Sequence, residues 1–167
     1  ISEVQPGTEG GGANDEFVEL YNPTDQPISL AGFALKKKSS SGSEANLVSS
    51  GAFSGTIGAH GFFLIAHKNY QGAVAADLAY SANSNNLAYT SNGVVLYGVG
   101  GALVDYAGWG EIEKGQSYER RAFASGSCVS AQNSGELLGN GCDTDGQSDF
   151  EIRSVPQPQN SASGQEP

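Results

Sequence analysis

The chain has no methionine, a single tryptophan, two cysteines, and eight lysines and arginines against 18 aspartates and glutamates in 167 residues. Each shortage excludes something. Two cysteines cannot by themselves build a four-ligand structural zinc site. A formal net charge of −10 lacks the positive footprint that a nucleic-acid backbone requires. The clustered bases are Lys36-Lys37-Lys38 and Arg120-Arg121. Three lysines at a strand end read as a solvated group that protects a sheet edge. No stretch is long and apolar enough to span a bilayer, and no signal-peptide pattern is visible. The missing methionine and the start Ile1-Ser2-Glu3-Val4, already strand-like, are compatible with an excised fragment.

Glycine is abundant, at 24 residues, and serine, asparagine and alanine are frequent. That composition favours many short strands joined by tight turns over a helix bundle. The length suits one domain, and domains near this size bury roughly 70% of the surface their unfolded chains expose.

The chain is organised around Asp15-Glu16-Phe17-Val18-Glu19-Leu20-Tyr21-Asn22-Pro23-Thr24-Asp25. Residues 17–21 are rich in β-formers and are closed by turn chemistry, so they read as one strand. Phe17, Glu19 and Tyr21 point to one face, and Val18 and Leu20 to the other. Apolar residues on both faces indicate an interior strand. Glu19 is the anomaly, because a mid-strand carboxylate on a covered face needs a partner or water.

Around it, residues 1–5 read as a first strand and Pro6 to Asn14 as a mobile Gly-rich loop. No helix follows that loop and its neighbours are acidic, which sets phosphate binding aside. Ile28 to Leu35 reads as two short strands bent at Gly32, Lys36 to Ala45 as a loop tip, and Leu47 to Ile57 as a short strand and turn. Gly61 to Ala66 is the most apolar run and suits a buried strand. Tyr70 to Tyr80 is the one place where a helical turn fits. Gly93–Tyr97 and Ala102–Ala107, joined by a Gly-rich turn, read as a hairpin. Ser117–Arg121 and Asp149–Arg153 read as the last strands. The proline-spaced segment 156–161 is a terminal tether, and residues 161–167 are expected to be a flexible tail. These pieces make an all-β sandwich or barrel of about eight or nine short strands in one domain over residues 1–160.

Cys128 and Cys142 flank a loop rich in Gly, Ser and Asn. A disulfide there would contribute roughly 3 kcal/mol in the chain-entropy model and would point to an oxidising compartment. The alternative is two buried free thiols.

These motifs, in this order, resemble the lamin tail domain, the immunoglobulin-like domain of nuclear lamin tails. Asp15 to Asn22 followed by Ile28 to Leu35 resembles its signature, with Glu19, Asn22 and Gly32 as structural positions. Ile57-Gly58-Ala59-His60-Gly61-Phe62-Phe63-Leu64-Ile65 is similar to its turn and core strand. Asn92–Tyr97 through Val104–Gly110 is similar to its hairpin, Ser117-Tyr118-Glu119-Arg120 to its short strand, and Asp149-Phe150 with the 156–161 tail to its closing segment. The resemblance extends from residue 1 to about 163. It departs from nuclear lamins in the long insertion that carries Cys128 and Cys142, and no coiled-coil rod is present. The Gly- and Ser-rich, acidic style is that of bacterial members. The resemblance implies an immunoglobulin-like β-sandwich that serves as a module in a larger secreted or cell-surface protein.

Three sites remain to be weighed. Asp143, Asp145 and Asp149 in a Gly-rich turn suit a hard cation such as calcium. The alternative is an Asx-rich turn capping the last strand. The spacing is not that of an EF-hand, since aligning Asp143, Asp145 and Gly146 to that loop puts Ile152 where its bidentate Glu belongs. Trp109, between two glycines, is the aromatic expected to be exposed and able to stack on a sugar. The other aromatics fit core and cross-strand packing. For catalysis the inventory is thin. His60 and His67 have no zinc spacing, Ser41 and Ser54 lack a nucleophile elbow, Cys128 has no base among its Ser- and Gly-rich neighbours, and Glu111 and Glu113 read as solvated.

The resulting expectation is a non-catalytic interaction or spacer module, monomeric in isolation, whose partner is a protein or cell-surface component. The alternative is a carbohydrate- or nucleic-acid-targeting accessory domain of an extracellular hydrolase, although the charge speaks against nucleic acid. Glu19 is expected to be held by backbone amides or by a base such as Arg120, and not to act as a general base.

Overall fold

The computed structural model describes residues 1–7, 14–80 and 86–167. Within them lie fourteen strands: β1 (Glu3–Gln5), β2 (Phe17–Tyr21), β3 (Ile28–Ser29), β4 (Ala34–Lys38), β5 (Glu44–Val48), β6 (Thr56–Ile57), β7 (Phe62–His67), β8 (Leu78–Tyr80), β9 (Thr90–Tyr97), β10 (Leu103–Glu111), β11 (Ser117–Arg120), β12 (Ala122–Ala124), β13 (Ser127–Val129) and β14 (Phe150–Arg153). Eight of them have four or more residues, the number expected from the turn spacing. Of the others, β1 is a three-residue strand inside the larger sheet, between β11 and β2, and the rest are two- and three-residue ladders.

One sheet has six strands in the order β14-β11-β1-β2-β7-β8, and the other has four in the order β10-β9-β4-β5. Neighbours run antiparallel except β7 and β8. The main core lies between the two sheets. Val4, Val18, Leu20, Phe63 and Ile65 meet Leu35, Val94, Leu96 and Trp109 there. The β2 alternation works as its residue types dictate. β2 is interior, between β1 and β7. Its Phe17 turns to the other face and joins Leu64 and Ala66 in a second, smaller cluster packed by Tyr70, Val74 and Ala76. The six-stranded sheet is therefore covered on both faces.

Several local expectations are corrected. The lysine triplet protects no edge, because β4 pairs with both β9 and β5. Lys36 lies 4.8 Å from the Tyr97 ring centre and Lys38 5.3 Å from that of Tyr106, so apolar stems run along the sheet while the charges stay near water. Residues 36–38 and 44–45 are strand, and only the tip between them is turn. Residues 70–77 form no helical turn. The Gly-rich stretch after β1 falls largely outside the described residues. Gly32 is required where it stands: φ is +82°, and a Cβ would meet Val99 at 3.3 Å.

The expected free tail over 161–167 is also corrected. Ser161 donates through its backbone to Asp77 at 3.0 Å. Glu166 is buried, its amide donates to the His60 carbonyl at 2.9 Å, and its carbonyl accepts from the Tyr21 hydroxyl. Hydrogen bonds that no apolar pattern announces dock this segment.

Candidate functional site

The outer face of the six-stranded sheet carries a row of acids. The registers place Glu151 opposite Glu119, Glu119 opposite Glu3, and Glu3 opposite Glu19. These are four glutamates side by side on β14, β11, β1 and β2. Strand alternation puts each of them on the face away from the main core. Glu3, Glu19 and Glu119 are buried.

Each is closed by donors from the chain itself. Glu19 accepts from the Ser2 hydroxyl at 2.7 Å and the Gln159 amide at 2.5 Å. Glu3 accepts from the Ser117 hydroxyl and, at 3.2 Å, from the Gln157 amide. Glu119 takes a bidentate pair from Arg153 at 2.8 and 2.9 Å. Glu151 accepts from Ser130 and the Ala131 amide. The tail crosses the strands as Pro156-Gln157-Pro158-Gln159. Its prolines have no N–H to satisfy, and both glutamine N–H groups go to glutamates. Glu19 is thus held by a hydroxyl and a backbone amide, and Arg120 is not its partner.

Burial, then the neighbouring Glu119 carboxylate, pushes Glu3 up to about 7. Burial, then Glu3, holds Glu19 well above the ordinary carboxyl value. Burial also raises Glu119. Glu16, on β2's approach, is pushed up to about 7 by burial; it accepts from the Tyr80 hydroxyl and the Leu87 amide. A cavity of about 580 Å³ lies beside the row, walled by the tail, by residues 135–140 and by Tyr70 and Val74.

Arg120 lies on the inner face and joins the two sheets. Its guanidinium donates twice to Asp105 on β10, at 2.7 and 2.8 Å, and also to the Ile1 and Cys142 carbonyls. It stacks 4.4 Å from the Phe150 ring centre. Burial alone would raise the Asp105 carboxyl, but the Ile1 nitrogen and Arg120 hold it below its usual value. Cys128 and Cys142 are bonded, which ties the β12–β13 hairpin to the turn before β14.

That turn is a hydrogen-bonded unit. The Asp149 carboxylate accepts from the Thr144 amide and hydroxyl and the Gly146 amide. Asp143 is exposed and reaches Arg120 only at 3.5 Å, and Asp145 is exposed at φ +59°. Among the described residues, the one trio of Cys, His or acidic side chains within 4.8 Å is Cys128, Cys142 and Asp149, and its sulfurs are spent on each other. Asp143, Asp145 and Asp149 do not converge.

Trp109 is not exposed. It is 5% accessible, and its Nε1 donates to the Ala88 carbonyl at 2.9 Å. The register explains this, because β10 turns Ala107 and Trp109 inward. Tyr106, 45% accessible, is the aromatic on the outer face. Its ring lies over Gly108, where a Cβ would sit 2.1 Å from the hydroxyl. His60 does meet an acid, Asp25, at 2.7 Å, and Tyr21 stands 3.5 Å from its other nitrogen. The Tyr21 proton, however, goes to the Glu166 carbonyl. His67 is buried and accepts from the Asn69 amide. Asn22 is buried and ties its own turn to the Gly58 carbonyl, at 2.9 Å, and to Gln26.

Sequence reasoning singled out Glu19 and missed Glu3, Glu119 and Asp105. A signal was present: Ser2-Glu3-Val4, Val18-Glu19-Leu20, Tyr118-Glu119-Arg120 and Phe150-Glu151-Ile152 each place one acid within a strand. Only the register shows that the four form one row.

Two packed antiparallel sheets with the core between them and, among the described residues, a single parallel pair at one edge define an immunoglobulin-like β-sandwich. The family model described as the Lamin Tail Domain matches residues 1–111, and the chain belongs to that family. The match spans β1 to β10; β11, β14 and the tail that complete the acidic row follow it. A search of curated proteins returns no match.

Proposed function

We propose that the chain is a non-catalytic interaction and spacer module within a larger secreted or surface-attached bacterial protein. One observation carries this reading. The carboxyls whose affinity for protons is most altered, Glu3, Glu16 and Glu19, are buried and spent on internal hydroxyls and amides. Perturbed carboxyls are where a hydrolase would work; here they hold sheet, tail and loop together. The Cys128–Cys142 bond supports an oxidising compartment. The test is a turnover screen with chromogenic esters, phosphodiesters and glycosides. The expected rates equal the buffer blank. Turnover that disappears in His60→Gln, the histidine that meets Asp25, overturns the reading.

A second reading, carbohydrate targeting, is favoured by the half-exposed Tyr106 ring, which lies over Gly108 with Lys38 beside it. A glycan array separates the two. Signal lost in Tyr106→Ala supports targeting, and no signal supports the interaction module. Trp109→Ala is no control here, since it removes a core residue.

A further inference from the structure

Resting on the interaction-module reading, we propose that the free edge of β10 binds an extended, cationic peptide segment of a partner protein by strand addition. β10 ends its sheet, with β9 along one side and no strand along the other among the described residues. At nine residues it is the longest strand. Such an edge presents a row of backbone donors and acceptors to an added strand. The usual protection is partial here: one register shift between Leu103 and Asp105, and the turn Gln147–Asp149, which packs near the strand.

The ground beside the edge is shaped for an extended chain. A groove of about 320 Å³ runs between Leu103–Gly108 and the turn at Asp143–Gln147. At Val104 it adjoins an apolar cleft of about 230 Å³, floored by Leu20, Leu30, Ile57 and Leu96. Leu103 and Val104, 66% and 51% accessible, stand at the rim. Successive side chains of an added strand point to opposite sides, so one aliphatic residue seats in the cleft while its neighbours face the turn.

Charge selects the occupant. Arg120 is held closely by Asp105 and reaches Asp143 only at 3.5 Å, so the acids that face both groove and solvent are Asp143 and Asp145, both exposed. They favour lysine or arginine in the incoming strand. The net charge of −10 disfavours a second copy of this chain by self-repulsion.

The test uses a fluorescent peptide of alternating lysine and valine, about eight residues long, the length of an ordinary strand. Anisotropy measures binding, and amide hydrogen exchange locates it. Expected are saturable binding, slowed exchange confined to residues 103–111, and a loss of about tenfold or more in each of two surface variants, Val104→Lys and the double variant Asp143→Lys/Asp145→Lys. Equal binding of a lysine–serine peptide, protection at another edge, unchanged affinity in both variants, or concentration-dependent protection of β10 without peptide each overturns the proposal. The module reading is tested separately by the turnover screen: no turnover together with no peptide binding removes only the β10 assignment.

Discussion

Glu3 and Glu19 stand directly opposite one another on β1 and β2, both buried, and the hydrogen bonds that close them come from serine hydroxyls and tail amides. Like charges directly opposite in a sheet are destabilising. In a covered site the cost is met by retaining protons, and that is the direction in which both groups are pushed. Serine hydroxyls suit such a pair because they can donate to a carboxylate or accept from a carboxylic acid. The pair and its tail are one unit, formed by the outermost segments of the described chain.

The first prediction is a pH slope. A carboxyl that ionises less readily when folded stabilises the fold while protonated. That stability is fully present below the unfolded value of 4.5 and is lost as pH rises through about 7 for Glu3. A tenfold difference in proton affinity between the folded and unfolded chain corresponds to about 1.4 kcal/mol, so the row ties a few kcal/mol to its protons. The melting temperature should fall as pH rises through that window. Glu19→Gln, which mimics the protonated acid, should flatten the fall. Thermal melts across the range check it, and a variant with the wild-type slope contradicts it.

Arg120 and Asp105 give a prediction of opposite sign. The Asp105 carboxyl is held below its ordinary value of 3.8, so its stabilisation is present above that value and fades as pH falls through the lower folded one. Asp105→Ala strands a buried guanidinium and should cost about 3–5 kcal/mol in urea unfolding. Arg120→Lys should also be costly, because a lysine cannot reproduce the fork that reaches Asp105 and two carbonyls at once. With the glutamates, this places maximal stability on the acid side of neutrality.

Reduction of Cys128–Cys142, or the double Cys→Ser variant, should cost roughly 3 kcal/mol, the chain-entropy value for a closed loop of this length. The bond joins the β12–β13 hairpin to the turn that presents Asp143 and Asp145, so exchange should accelerate first at residues 122–146. Uniform acceleration across the sheets would show instead that the bond supports the whole fold.

Much of this fold was legible in the sequence because it is written in local patterns. Phe17–Tyr21 alternates, Phe62–Ala66 is a bounded apolar run, and Gly98–Gly101 interrupts two β-rich stretches; each became the strand or turn its residues dictate. The disulfide was legible too, from two cysteines flanking a short loop. The Glu19 partner was not. Arg120 is nearby in chemistry but faces the other side of its sheet, and only the packing of one sheet on the other brings it to Asp105. Trp109 was misjudged for the same kind of reason: flanking glycines suggest exposure, but the alternation of β10 turns it inward. The docking of the tail was missed because it rests on individual hydrogen bonds, from Ser161 to Asp77, between Glu166 and His60 and Tyr21, and from the Gln157 and Gln159 N–H groups to the glutamates, which carry no hydrophobic signal.

Those two N–H groups allow the sharpest test. Gln159→Pro deletes the amide that Glu19 accepts from, while Gln159→Ala keeps it and loses only the side-chain contact to Glu166. Leaving a buried acceptor unsatisfied costs about 1–3 kcal/mol, so the proline variant should melt lower than the alanine variant by that margin. The margin should also change with pH. It is largest where Glu19 is ionised and most in need of a donor, and it shrinks as acid protonates the row. Equal melting of the two variants at every pH would mean that the tail is held by its other contacts, at Asp77, His60 and Tyr21, and that Glu19 does not need it.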